Sequence, residues 1–207
     1  MKYDYTLYLV TNRTVMSTAS LGEAVEQAIA GGCSMIQLRE KNISSFAFYT
    51  LAKEIKEITD CHAIPLIIKD RIDIALSVGA AGVHTGQSDL PACAARKIMG
   101  KDMLLGVSVS TVSEALKAQD DGADYLGVGA MFPTGTKTDA NIVTKEELQR
   151  IRQAVRLPVV VIGGINRENA ASFSNMGVNG LAVVSALISK PDIKAAAQEL
   201  RDLFSPF

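Results

Sequence analysis

One pattern returns four times along the chain: a helix-like stretch, a glycine, two or three residues, then a short apolar run. It reads GGCSMIQL, VGAAGVHTG, DGADYLGVG and MGVNGLAVV. The glycines Gly32, Gly79, Gly122 and Gly177 stand 47, 43 and 55 residues apart, room for about two strand–helix units per step. A glycine just past a helix end takes the left-handed conformation that closes the helix. Two intervening runs open with proline instead, in IPLIIKD and LPVVVIGG.

Counting every such run gives eight strand candidates, at 5–11, 35–40, 65–70, 82–86, 104–109, 125–130, 159–164 and 180–186. Most carry Val, Ile and Leu at consecutive positions, as parallel strands buried on both faces do. The intervening stretches have helical period, with stripes such as Leu21, Ala24, Val25, Ala28 and Ile29, or Ile193, Ala196, Ala197, Leu200, Leu203 and Phe204. Ser20-x-x-Glu23, Thr111-x-x-Glu114 and Thr144-x-x-Glu147 fit the capping box, in which each side chain satisfies an orphan backbone donor. Eight strands, eight helices and an approximate repeat predict a single (β/α)8 TIM barrel of the α/β class, occupying residues 1–207 as one domain. A doubly wound open sheet offers no reason for eight evenly spaced units.

Net charge is −1 and no basic run occurs, so a nucleic-acid or acidic-membrane partner has no electrostatic footprint. Cys33, Cys61 and Cys93 are odd in number and widely spaced, which suits neither a disulfide framework nor a zinc site. No signal-peptide pattern or 18-residue apolar stretch is present. A cytoplasmic chain acting on small molecules is expected, with homo-oligomer formation left open.

In a barrel of this kind the active site forms at the carboxyl ends of the strands. The residues just past each apolar run therefore belong to the mouth: Gln37, Arg39, Glu40 and Lys41, then Lys69, Asp70 and Arg71, then Gln87, Ser88 and Asp89. Ser108 and Ser110 end the fifth strand, Gly163-Gly164 the seventh and Val184-Ser185 the eighth. The opposite ends supply mainly Gly, Pro and Ala. Asp70 and Asp89 end adjacent strands about 4.8 Å apart, so both reach one hard cation of the Mg2+ type. The competing reading pairs Asp70 with Arg71 or Lys69 and makes Asp89 a helix cap before Leu90-Pro91. Gly163-Gly164 and Val184-Ser185 match a frequent phosphate position, against the plainer reading of a tight turn. Arg39, Lys41 and Lys137 could surround a second anion, or form a solvated rim paired with Glu40. The segment GAMFPTGTKTDA (129–140) adds three hydroxyls, an ammonium and a carboxylate to this mouth.

With those positions assembled, the chain resembles the thiamin phosphate synthase (thiamin-phosphate pyrophosphorylase) family. The matching stretches include YLVT, QLREK, PLIIKDR, GVHTGQSDLP, DYLGVGAMFPTGTKTDA, VVVIGGI and AVVSA, in order along nearly the whole chain. The resemblance implies a transferase that joins hydroxymethylpyrimidine diphosphate to thiazole phosphate with Mg2+ as cofactor. It assigns Gln37, Leu38, Arg39, Glu40, Lys41, Lys69, Ser108 and Lys137 to the pyrimidine diphosphate, with Arg39, Lys41, Ser108 and Lys137 closest to the chemistry. It assigns Thr134, Thr136, Gly164, Val184 and Ser185 to the thiazole phosphate, and Asp70 and Asp89 to the metal. A thiazole tautomerase of the same superfamily and a non-catalytic phosphate-ligand sensor are the rival readings; retention of QLREK, Asp70, Asp89 and Lys137 favours the synthase. Three positions depart from the family pattern. Lys69 stands where asparagine is usual, GQSD replaces GQED, and SVST replaces SAHT, so that Ser110 takes the place of a histidine. An ammonium at position 69 either repels the metal, replaces part of its charge or points outward to the diphosphate; the expected result is weaker Mg2+ binding with diphosphate binding retained.

Overall fold

The computed structural model describes residues 3–135 and 141–204. The eight apolar runs pair in parallel as β1 (Leu7–Val10), β2 (Met35–Leu38), β3 (Leu66–Lys69), β4 (Gly82–Thr85), β5 (Leu104–Val109), β6 (Tyr125–Val128), β7 (Val159–Ile162) and β8 (Gly180–Val183). Each lies beside its neighbour in sequence, and β8 closes on β1 through Leu7, Tyr8 and Leu9. The expected barrel is therefore what forms.

Strand periodicity sorts the side chains into two cores. Leu7, Leu9, Ile36, Leu38, Leu66, Ile68 and their counterparts face outward into the layer shared with the helices. Tyr8, Val10, Met35, Ile67, Leu104, Tyr125, Val160 and Ala182 fill the barrel interior. Every fully buried aliphatic side chain of this kind is worth about 1.5–3 kcal/mol over leaving it in water, so a one-residue slip of any strand is strongly disfavoured. Gln37, Lys69, His84 and Ser108 share the inward parity, which is how polar groups come to line the open end.

The helices are α1 (Leu21–Ala30), α2 (Ser45–Cys61), α3 (Ile72–Val78), α4 (Ala92–Met99), α5 (Val112–Asp120), α6 (Lys145–Ala154), α7 (Ser185–Ile188) and α8 (Ile193–Leu203). The sequence stripes are the buried faces: Leu21, Ala24, Val25 and Ala28 on α1, and Ile193, Ala197 and Leu200 on α8. The even alternation fails at one point. A 3-10 turn, Ala170–Phe173, follows β7, while two α-helices follow β8. In the NRENAAS stretch, Asn166 and Asn169 side chains accept from the Glu168 and Asn166 amides, local bonds that compete with helix formation.

Ser20, Thr111 and Thr144 each accept from the amide three residues on, which is one half of the capping box. The glutamates do not close the other half. Glu114 accepts from the Ser110 amide and hydroxyl, and Glu147 accepts from the Val112 amide, tying α6 to the start of α5. Of the repeat glycines, Gly79 is the left-handed cap of α3. Cys33 is buried, with its thiol pushed up to about 12 by burial; Cys61 and Cys93 are exposed thiols. Among the described residues no helix is long and apolar enough to cross a membrane.

Candidate active site

The carboxyl ends of the strands surround a cavity of about 510 Å³ that descends into the barrel as far as Tyr8, Val160 and Ala182. Of the positions singled out from sequence, Gln37, Arg39, Lys41, Lys69, Asp70, Asp89, Ser108, Thr134, Gly164, Val184 and Ser185 line it. Leu38 does not; its outward parity buries it in the helix layer. Glu40 does not either, because its carboxylate takes two hydrogen bonds from Arg13, at 2.8 and 2.7 Å. Arg39 and Lys41 are therefore not neutralised by Glu40, and among the described residues neither makes an ion pair. Thr136 and Lys137 lie outside the described residues.

On the β3–β4 side, a tight turn aims Asp70 at Asp89. Asp70 has φ 65°, its amide donates to the His84 carbonyl at 3.0 Å, and the Arg71 amide donates back to the Lys69 carbonyl at 2.8 Å. A non-glycine residue held in that region costs on the order of 1–3 kcal/mol. Asp89 accepts through Oδ2 from the Gly86 amide at 2.7 Å and from Lys69 Nζ at 2.9 Å. It is not a helix cap: α4 begins at Ala92 behind Pro91, without a side-chain capping bond. Lys69 also pairs with Asp70 Oδ1. Desolvation, then the neighbouring Asp89, holds the Asp70 carboxyl above its ordinary value. Desolvation pushes Asp89 the same way, but the bonds from Asp70, Lys69 and the Gly86 amide outweigh it and hold Asp89 low. Opposed shifts are the usual outcome for two carboxyls close enough to interact directly. One ammonium reaching both carboxylates shows that they converge on a single point. An all-oxygen set of two carboxylates, open to further ligands, suits a hard divalent cation that also takes phosphate oxygens.

The β6–β8 side is built from backbone. Gly163 and Gly164 have φ 98° and 66°, and a Cβ on either would come within 2.6–2.7 Å of Ala130 or Phe132. Their lack of side chains lets residues 130–133, after β6, lie across the end of β7, where Met131 and Phe132 amides donate to the Ile162 and Gly163 carbonyls. Asn169 donates to the Gly164 carbonyl at 3.0 Å and fixes the turn. The glycine pair thus does serve a tight approach, and it opens on the cavity beside Thr134, Val184 and Ser185.

The floor joins the two sides. Gln37 Nε2 donates to the Tyr8 hydroxyl at 2.8 Å; Tyr8 and Tyr125 hydroxyls are 2.9 Å apart; Tyr125 lies 3.0 Å from His84 Nδ1, and His84 Nε2 lies 2.8 Å from Ser108 Oγ. With Gln37 donating, one direction gives both tyrosine hydroxyl hydrogens and the imidazole N–H an acceptor: Tyr8 to Tyr125, Tyr125 to Nδ1, and Nε2–H to Ser108. The Ser108 hydrogen is then left for a bound ligand. Burial, aided by the Lys69 charge, pushes the His84 imidazole down to about 3, so it stays neutral. Gly106 permits this contact, since a Cβ there would sit 2.2 Å from the Tyr125 ring and 2.4 Å from His84 Nδ1. From sequence alone His84 reads as a packed, hydrogen-bonded residue outside the site. It is packed and bonded, but directly beneath Ser108; strand parity with Lys69 and Ser108 is the available signal.

A closed (β/α)8 barrel with a carboxylate pair, two cations outside any ion pair among the described residues and a glycine-built backbone at one mouth defines an enzyme for phosphorylated small molecules. The sequence narrows that class. Residues 7–187 match the family model described as thiamine monophosphate synthase, and the chain belongs to that family. It is 59% identical to the thiamine-phosphate synthase of Clostridium beijerinckii, over 98% of this chain and 97% of the relative. The thiamine-phosphate synthase of Ruminiclostridium cellulolyticum is 60% identical, over the same shares. Among solved structures, the thiamine phosphate pyrophosphorylase of Pyrococcus furiosus superposes with a TM-score of 0.89 at 38% identity, covering 96% of this chain and 94% of that one.

Proposed function

We propose that this chain is a transferase that joins hydroxymethylpyrimidine diphosphate to thiazole phosphate, releasing diphosphate and forming thiamin phosphate. The observation that carries the reading is the division of one cavity into a charged arc and a backbone arc facing it across the barrel. Two anionic substrates need two such positions.

The bond from the pyrimidine methylene carbon to diphosphate breaks with its electron pair leaving on oxygen. The thiazole nitrogen lone pair then forms the new carbon–nitrogen bond, and no proton need be moved. The 4-amino group feeds electron density into the developing methylene cation, so no protein nucleophile is required. Arg39 and Lys41, which line the charged arc, stabilise the departing diphosphate, and such preorganised charge is commonly the largest catalytic effect. Lys137, outside the described residues, joins them in this reading. Ser108 directs its hydroxyl at the pyrimidine, and Gln37 holds the Tyr8 end of the chain that orients it. Thr134, Gly164, Val184 and Ser185 hold the thiazole phosphate, so that its nitrogen sits close to the reacting carbon. Asp70 and Asp89 would hold Mg2+, which when bound supplies positive charge to the diphosphate oxygens.

The test is product formation. Purified protein, both substrates and Mg2+ are incubated, and thiamin phosphate is read as fluorescent thiochrome after oxidation. Product that requires both substrates and disappears with EDTA is expected. Conversion of the thiazole phosphate without the pyrimidine would instead identify a tautomerase, and binding without turnover a sensor.

A further inference from the structure

The Lys69 side chain occupies the point where the two carboxylates of the charged arc converge. Its ammonium pairs with Asp70 Oδ1 and with Asp89 Oδ2 at 2.9 Å, and only 16% of the side chain is exposed. The adjacent Arg71 is engaged elsewhere, with Asp73 and Ser45. Lys69 is thus the cation that these two carboxylates share, reached from the last position of β3.

We infer that Lys69 is an internal counter-cation that fills the divalent-metal position in the free protein and yields it when a diphosphate arrives. Metal and diphosphate then bind as a coupled pair. The inference rests on the reading above that Asp70 and Asp89 hold the metal. An ammonium and a divalent ion cannot share one pair of carboxylates at contact distance, because like charges repel strongly where solvent is sparse. Lysine carries its charge on a flexible four-carbon stem, so Nζ can leave without moving β3. It leaves at a cost unless it meets a new anion. The diphosphate bound beside Arg39 and Lys41, in the same cavity, is that anion. By linkage, whatever factor diphosphate adds to metal affinity, metal adds to diphosphate affinity.

The experiment is calorimetric titration of the ligand-free protein, first with Mg2+ alone and then with metal-free inorganic diphosphate. Lys69→Met keeps the length of the side chain and removes its charge. It should bind Mg2+ on the order of tenfold tighter than the parent, about 1.4 kcal/mol, and bind metal-free diphosphate more weakly. Lys69→Gln, which retains a hydrogen bond to the carboxylates, should shift both constants in the same directions and serves if the methionine variant does not fold. Equal Mg2+ affinity in parent and variants, within twofold, would overturn the role of the ammonium while leaving the metal position intact. No Mg2+ binding by any of the proteins would overturn the inference by removing the metal position itself. Neither outcome touches product formation, which tests the synthase reading separately.

Discussion

On the β2–β4 side of the mouth the polar groups are side chains: Arg39 and Lys41, without carboxylate partners among the described residues, and Lys69 held between Asp70 and Asp89. On the β6–β8 side they are peptide groups and hydroxyls, brought to the cavity by two glycines at positive φ and by Thr134 and Ser185. Net charge sets the first arc and chain path the second. Under the proposed function, the difference reflects the chemistry each arc serves. A diphosphate that departs gains negative charge as it goes, so cations placed there act on the transition state. A phosphate that only anchors the other substrate changes little during reaction, and shape with hydrogen bonds suffices.

The largest contrast should come from removing one group on each side. Asp89→Ala loses a proposed metal ligand and the acceptor that anchors the Gly86 amide; turnover should fall on the order of a hundredfold or more. Ser185→Ala should change kcat little and raise the KM for thiazole phosphate by less than about tenfold. Steady-state kinetics in both substrates separates these outcomes, and a larger kcat loss in the serine variant would reverse the roles of the arcs.

Chain path can be tested at Gly164. An alanine there would face a positive φ and atoms of Phe132 and Pro133 at 2.7 and 2.8 Å. Gly164→Ala should cost about 1–3 kcal/mol of stability and weaken thiazole phosphate binding, while leaving inorganic diphosphate binding near that of the parent. Urea unfolding and calorimetry read the two effects; parallel loss of both ligands would argue against separate arcs.

The floor beneath both arcs has its own signature. The folded His84 titrates near 3 against an ordinary 6.5, so the unfolded chain takes up the proton more readily. Its contribution is fully present above pH 6.5 and is lost as pH falls toward 3, with a slope of about 1.4 kcal/mol per pH unit. His84→Gln should lack that component when unfolding free energy is measured across pH 7 to 4. The smallest effect is that of salt. Raising ionic strength should weaken diphosphate binding more than thiazole phosphate binding, because exposed charges are screened over about 8–10 Å. Equal salt dependence of the two affinities would blur the distinction.

Much of this arrangement is legible in the residues. The eight runs, their consecutive Val, Ile and Leu, and the repeat glycines determine the barrel, and the residues just past each strand make up the charged arc almost whole. Where side chains lie elsewhere than the mouth, the reasons are physical. Leu38 and Glu40 sit within QLREK, but only alternate residues of an extended segment face inward, so each turns to other partners. The even strand–helix alternation breaks after β7, where asparagine side chains bind the backbone that a helix would use. His84 looks like ordinary packing because a single strand cannot show what stands above it; the neighbour is Ser108, 24 residues on. The position of Lys69 depends on rotamer and local charge, which the sequence leaves open; in the structure its ammonium pairs with Asp70 and Asp89.

The most direct test of two separate arcs is whether they fill at once. Thiazole phosphate is titrated calorimetrically into the protein, alone and in saturating Mg2+ and inorganic diphosphate. Two arcs predict an affinity that is unchanged or tighter with diphosphate bound, with Lys41→Ala weakening only the diphosphate and Ser185→Ala only the thiazole phosphate. Competition between the two ligands, with each variant weakening both, would contradict it.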